Sequence, residues 1–428
     1  MLDTLKQKKQ ERSSWLGLFF ADLDHQILMI FIDIFLSIYL LHVSTWDLSI
    51  IGLFWVMRLS SYIIFIYILN RYVKLNLLSN FRIGLFLSFI CCILLVVLGD
   101  SIVLWIIPYG VFFGLRSAVY FPAQLLLIKR INETSGYKKY IVYHTIASSI
   151  LGILVPVAFG FVIYANSYIL AFIVLAIITL LGFLASLFIK TESPQYEPIK
   201  LKALYAKANQ NEKSKKLLRY VNLKTFFHCI SSFGIMPMLI MILTYYILGN
   251  MLTFGFVIAF VVIISSICIF ILNKYLSQHK IGKMLIPLSL IQIGIILAIS
   301  IAFTTLNVQN THIILGFAMT IGFVLMLLYN LINGIIDSIF EVSDDIAYYE
   351  AQDAMQLDSE LQPSFMYNSE AWGIAGRVLS FMVLILIGLF QFNINIIVIL
   401  IFICSFSYIL YAIYLKKMIH QIHEMTFK

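Results

Sequence analysis

The sequence predicts an all-α polytopic membrane protein, with twelve transmembrane helices in two pseudo-symmetric six-helix bundles. Three observations carry this. The 428 residues are 61% hydrophobic and only 12% charged, whereas a soluble domain is about 45–50% apolar and about 25% charged. The apolar residues run in stretches of about 20, the length a helix needs to cross the hydrocarbon core. Lys and Arg fall in alternate connections between those stretches. The composition excludes a soluble enzyme and a disordered chain, and the unbroken stretches exclude an outer-membrane barrel, whose strands alternate apolar and polar residues.

In chain order, a polar, Lys-rich tail (1–24) precedes a first bundle (25–189). Its spans are read at 25–43, 48–69, 83–99, 102–127, 140–164 and 167–189. No small-residue cleavage site follows the first apolar run, so that run is expected to act as an uncleaved anchor. A basic linker (190–221) leads to a second bundle (222–415). Its spans are read at 222–247, 252–273, 284–304, 312–336, 369–390 and 393–415. An acidic loop (337–368) lies between the fourth and fifth of these, and a tail (416–428) closes the chain.

The charge pattern sets the orientation. Four bases lie in the N-terminal tail, three between spans 2 and 3, and four between spans 4 and 5. Nine lie in or beside the linker, three between spans 8 and 9, and three in the C-terminal tail. The odd-numbered connections hold none, and Arg58, Arg116 and Arg377 lie within spans. By the positive-inside rule both termini are cytoplasmic, in a multi-pass protein expected in the plasma membrane. The net charge of +8 then reflects attraction to anionic lipid and not a nucleic-acid partner. The five cysteines (Cys91, Cys92, Cys229, Cys268 and Cys404) sit inside apolar runs without metal-ligand spacing. They are read as packing residues, and neither a metal nor a cofactor is expected. The sequon at Asn132 falls on the cytoplasmic side and is read as chance.

The two halves echo one another. Tyr67-Ile-Leu-Asn-Arg-Tyr-Val73 closes span 2, and Phe270-Ile-Leu-Asn-Lys-Tyr-Leu276 closes span 8. Such duplication is common in secondary transporters. With this topology the chain resembles the major facilitator superfamily. The resemblance implies two six-helix bundles and a signature between spans 2 and 3. That signature reads Gly-x-x-x-Asp-Arg-x-Gly-Arg-Arg in the family and Ile66-Tyr-Ile-Leu-Asn70-Arg71-Tyr-Val73-Lys74-Leu75 here. Arg71 is kept, both glycines are lost and the Asp is Asn70. Two further features are similar to the drug/proton exporter branch. One is Arg116 within Gly114-Leu-Arg-Ser-Ala118. The other is the partial helix-kink pattern of Gly152, Pro156 and Gly160. That branch commonly carries an acid in span 1, with Asp33 the candidate counterpart.

Ionisable groups at mid-bilayer cost at least about 2.5–3.5 kcal/mol and mark function by default. Asp33, Arg58 and Arg116 lie at about 13, 18 and 17 Å from the cytoplasmic ends of their spans. They are expected to form a buried charge network in which Asp33 takes the proton, the alternative being a permanent structural ion pair. Arg71, with Glu370 and Arg377 spaced two helical turns apart, is the candidate inner gate, a snorkelling Arg377 being the alternative. His144, His228, Asn330 and Asn333 are cavity-lining candidates, with a hydrogen-bonded structural histidine as the plainer reading. From Asp337 to Glu370 the chain carries nine acids and no base, and this stretch could be attracted to the basic linker, although solvated charge is the default. It lacks the spacing of a calcium loop. His420 and His423 are read as solvated.

The expected function is secondary active transport by alternating access, through proton-coupled export of an amphipathic or lipophilic small molecule. The partners are that substrate, protons and the bilayer, and the protein is expected to be a monomer. One alternative is a lipid or glycolipid flippase of the same fold. Another is an accessory or sensor protein that has lost transport. A membrane enzyme is disfavoured, because neither G-x-S-x-G nor H-E-x-x-H occurs and no catalytic cluster gathers at one interface.

Overall fold

Helix α1 (Leu2–Phe31) passes through a π-helical turn (Ile32–Leu36) into α2 (Ser37–Val43). The computed structural model describes residues 2–72, 76–132, 137–190, 199–275, 278–305, 311–314, 317–358, 360–388 and 394–426. The chain divides into two units. One comprises Met1–Pro198 with Met251–Ala259, the other Ile199–Asn250 with Phe260–Lys428. Among the described residues, ten helices are long and apolar enough to cross a membrane. Two shorter apolar helical stretches, Met251–Ile267 and Val324–Asp337, accompany them. This is a multi-pass membrane protein.

The first unit continues with α3 (Leu48–Tyr72), α4 (Leu77–Leu98), α5 (Ile106–Asn132), α6 (Tyr137–Ala165) and α7 (Tyr168–Ser186). Helix α3 packs along α5, α4 packs along α5 and α7, and α1 packs along α7 and α6. The starts are written locally. Asn76 caps α4 by accepting from Leu78 N at 2.9 Å, and Ser167 caps α7 by accepting from Leu170 N at 3.3 Å. Arg82 Nη2 donates to the Ile189 carbonyl at 2.9 Å and Arg82 Nε to that of Ser186 at 3.3 Å. A base near the start of α4 thus satisfies the open carbonyls at the end of α7 and beyond it.

The first apolar stretch begins at Ser13, well before the expected residue 25. Leu18 and Ala21 are fully buried, so part of the expected polar tail is membrane-type helix. Hydropathy placed the boundary too late because Asp22, Asp24 and His25 interrupt the run, yet all three point inward.

The second unit holds α8 (Leu201–Asn209), α9 (Glu212–Ser231), α10 (Ile235–Leu248), α11 (Met251–Tyr275, whose first residues group with the first unit), α12 (Gln278–Thr305), α13 (Ile321–Ala354), α14 (Gln362–Gly388) and α15 (Ile394–Thr426). A short antiparallel pair, β1 (Thr311–Ile314) with β2 (Phe317–Thr320), precedes α13 where the sequence predicts the start of a span. The expected span 222–247 is two helices, α9 and α10, which meet at Gly234, and Gly249 in the left-handed region ends α10.

Residues 337–354 of the expected acidic loop continue α13 as helix. Ile336, Phe340, Ala347, Ala351 and Met355 recur at helical spacing and are buried with Leu204 of α8, Leu217 of α9 and Met418 of α15. The acids hide this stripe from a charge count. The linker is likewise largely helical from Leu201 onward. It is tied to the residues before α14 by Lys200 Nζ–Glu360 Oε2, which is exposed, and to α14 itself by Tyr205 Oη donating to Asn368 Oδ1 at 2.7 Å.

Candidate functional site

Three polar residues of α1 leave the helix in three directions inside the first unit. Asp22 is fully buried and faces α5 and α6. It accepts from Gln124, from Tyr140 Oη at 3.0 Å and from Tyr120 Oη at 3.4 Å, and its Oδ2 lies 2.9 Å from His144 Nε2. Asp24 is buried against α7, where Gly182 leaves room for its carboxyl, and among the described residues neither oxygen has a hydrogen-bond partner. His25 faces α5. Its Nδ1 stands 2.5 Å from Arg116 Nη2, and its ring lies on Tyr120 at 4.1 Å. An arginine only donates, so Nδ1 accepts and His25 is oriented with its proton on Nε2.

Arg116 is wholly buried. Its Nε donates to Ser88 Oγ of α4 at 2.6 Å, and its guanidinium lies 5.0 Å from the Tyr120 ring and 5.4 Å from Phe113. Phe113 also carries Arg58 on α3, at 4.7 Å, with Trp55 at 4.4 Å. Arg58 Nη1 is 3.8 Å from Asp33 Oδ1. Asp33 sits in the π-helical turn with its side chain 52% exposed, and such turns are frequent at functional sites. The structure therefore brings Asp33 to Arg58, and joins Arg58 to Arg116 through a shared aromatic ring. The direct partners of Arg116 are Ser88 and His25, with Asp24 in electrostatic reach.

Asp22, Asp24 and His25 were missed by sequence reasoning. The signal was present, because Trp15-Leu-Gly-Leu-Phe-Phe20 precedes them. An apolar run on both sides places the polar triplet within the helix and not in front of it.

Helix α6 runs through Pro156, whose missing N–H leaves the Gly152 carbonyl without its helical donor. Gly160 faces the Met251 carbonyl, and Gly255 faces that of Pro156, so α6 and the start of α11 meet backbone to backbone.

In the second unit, His228 Nδ1 lies 3.1 Å from Asp344 Oδ2, and Lys224 Nζ pairs with Asp344 Oδ1. The His228 ring stacks on Tyr411 at 4.3 Å. Asp344 lies beyond the apolar stretch of α13. Burial alone would raise its pKa, but Lys224 and His228 hold it down at about 2. Asn330 Nδ2 donates to Thr244 Oγ1 at 3.3 Å, and Asn333 joins a chain of polar groups with Tyr329, Gln292 and Asp337. Arg377 Nη2 lies 3.6 Å from Cys229 Sγ and its guanidinium 5.5 Å from the Phe233 ring, while Glu370 is half-buried. The Arg71 side chain lies outside the described residues. Among those residues no group of three or more His, Cys, Asp or Glu could hold a metal ion.

The family model described as Major Facilitator Superfamily matches residues 14–345. Of the solved structures, a bacterial homologue of the iron transporter ferroportin in an inward-facing state is similar at TM-score 0.68 and 10% identity. The match covers 96% of this chain and 98% of that one. The peptide transporter POT in complex with sulfate is similar at TM-score 0.65 and 10% identity, over 97% and 95%. The nucleoside transporter NupG is similar at 0.61 and 13%, over 96% and 98%. At these identities the likeness is one of fold. No curated protein matches in sequence.

Proposed function

Since the chain belongs to the Major Facilitator Superfamily, we propose that it is a secondary active transporter working by alternating access. It couples proton movement to export of an amphipathic or lipophilic small molecule across the plasma membrane. Both termini are cytoplasmic, and the two shorter apolar helices complete twelve crossings. The same membership argues for a transporter over an enzyme.

The observation that carries this reading is the ionisable cluster in the first unit. Asp22, Asp24, His25, Arg58 and Arg116 are each at most 6% exposed inside helices of membrane length. Groups so costly to bury are kept for a task other than packing. The second support is the contrast between Asp22 of the cluster and Asp33 beside it. Asp22 is saturated with contacts and serves as a fixed point joining three helices. Asp33 is half-exposed, loosely paired with Arg58 at 3.8 Å and set on a π-helical turn. A proton or a substrate cation can compete for Asp33 without dismantling the fold.

The test begins with a thermal-stabilisation screen of the purified protein against drugs, lipids, sugars and peptides, because a ligand that binds the folded state raises its apparent stability. The stabilising compound is then followed in proteoliposomes under an imposed pH gradient. Gradient-driven flux that Asp33→Asn abolishes in folded protein supports the reading, and flux indifferent to the gradient overturns proton coupling.

A further inference from the structure

Inside the second unit a chain of amide groups ends on a carboxylate. Asn333 Nδ2 donates to Asp337 Oδ2 at 2.6 Å, one turn along α13. The Oδ1 of the same amide accepts from the Tyr329 hydroxyl at 3.2 Å and from Gln292 Nε2 on α12. An ionised carboxylate can only accept hydrogen bonds. Asp337 therefore dictates which way Asn333 faces, and Asn333 dictates which way Gln292 faces. The last group of the chain is Gln292 Oε1. Gln292 is 1% exposed, and among the described residues no donor reaches that oxygen. Asp337 is only partly buried, with its Oδ1 enclosed, so this end of the chain is more open than the Gln292 end. Tyr329 on α13 and Tyr408 on α15 are among the titratable groups that feel Asp337, and Tyr408 also neighbours Gln292.

We propose that Asp337 is a proton-binding site of the second unit, and that Asn333 passes its state to the buried Gln292 by reversing the amide hydrogen bonds. A charge-assisted bond is about twice as strong as a neutral one. Protonation removes that advantage and with it the force that orients Asn333. The neutral acid carries an O–H donor, which is satisfied when Asn333 turns Oδ1 towards it. The turned Asn333 presents its NH2 to Tyr329 and to Gln292, and Gln292 turns in response. Its enclosed end changes from an acceptor to a donor. One proton at the end of the apolar stretch of α13 thereby changes the polarity shown on α12, with no helix movement needed to start it. The chain lies in a different unit from the Asp33–Arg58 pair, and its response needs no transported substrate.

The test uses full-length protein in lipid, labelled with 13C at the glutamine side-chain carbonyl and read by infrared difference spectroscopy from alkaline to acid pH. Gln292→Met, which keeps length and volume, identifies the Gln292 signal by its loss. In the wild type a protonated-carboxyl signal and a shift of the Gln292 signal are expected to appear together. Asp337→Asn is expected to lose the carboxyl signal and to hold the Gln292 signal at one position at every pH. Asn333→Leu is expected to keep the carboxyl signal while the Gln292 signal stops moving. If Asn333→Leu does not fold, the other two variants still decide the matter. The proposal is overturned if Asp337→Asn leaves the carboxyl signal intact, or if the Gln292 signal ignores protonation of Asp337 in the wild type. No substrate is needed, so failure here leaves the transport reading standing, and failure of transport leaves this site standing.

Discussion

Gly182 on α7 stands where α1 places the carboxyl of Asp24, and a methyl group there would collide with that carboxyl. The two helices are fitted to each other around one acidic side chain. That side chain is buried, and no hydrogen bond from the described residues holds either of its oxygens.

Gly182→Ala is therefore expected to displace Asp24 and to destabilise the protein by about 1–3 kcal/mol, as overpacking does. Asp24→Asn keeps the shape and is expected to leave the melting temperature nearly unchanged. Thermal unfolding in detergent compares the two. Equal stability of Gly182→Ala and wild type would show that the fit has slack.

Asp33 and Arg58 differ in burial, and their variants are expected to differ accordingly. Arg58 lies against Trp55, Phe113 and Met29. Arg58→Ala loses that packing and should lower stability by about 2–4 kcal/mol. Asp33→Asn touches a half-exposed group and should cost less than about 1 kcal/mol. Proton-coupled flux is expected to fall in both, so stability and flux separate the two roles.

Asp22 and His144 join α1 to α6 across 2.9 Å. Removing the buried Asp22 carboxylate strands His144, Gln124 and Tyr140, at a cost of about 3–5 kcal/mol. His144→Phe should cost less, because its ring is partly exposed and stacks on Tyr140. A double-mutant cycle is expected to give a coupling of about 1–3 kcal/mol. Additive effects would mean that the two side chains do not act as a pair.

Asp344 sets a pH limit on the second unit. Its folded pKa of about 2 lies below the unfolded value of about 3.9. Its contribution is therefore fully present above the unfolded value and is lost as pH falls towards the folded one. Acid unfolding of Asp344→Asn should lack that step between about pH 4 and about pH 2. Asp344→Ala is expected to be less stable at neutral pH, because Lys224 is left buried without its carboxylate.

The amino-acid sequence by itself determined the membrane class, the helical architecture and the family. Hydropathy and the placement of Lys and Arg are local properties that a bilayer reads directly. It also pointed to Asp33, Arg58 and Arg116, since a charge inside an apolar run is conspicuous. Only the tertiary structure decided which charges meet. Asp33 pairs with Arg58, and Arg116 turns to His25 and Ser88. Asp22, Asp24 and His25 were hidden because they stand near the polar start of α1, where one-dimensional hydropathy cannot tell an inward-facing carboxyl from a solvated one. The acidic stretch after Asp337 was hidden for the converse reason. Its charges masked a buried stripe at helical spacing, and that stripe becomes visible only when α9 and α15 are packed against it.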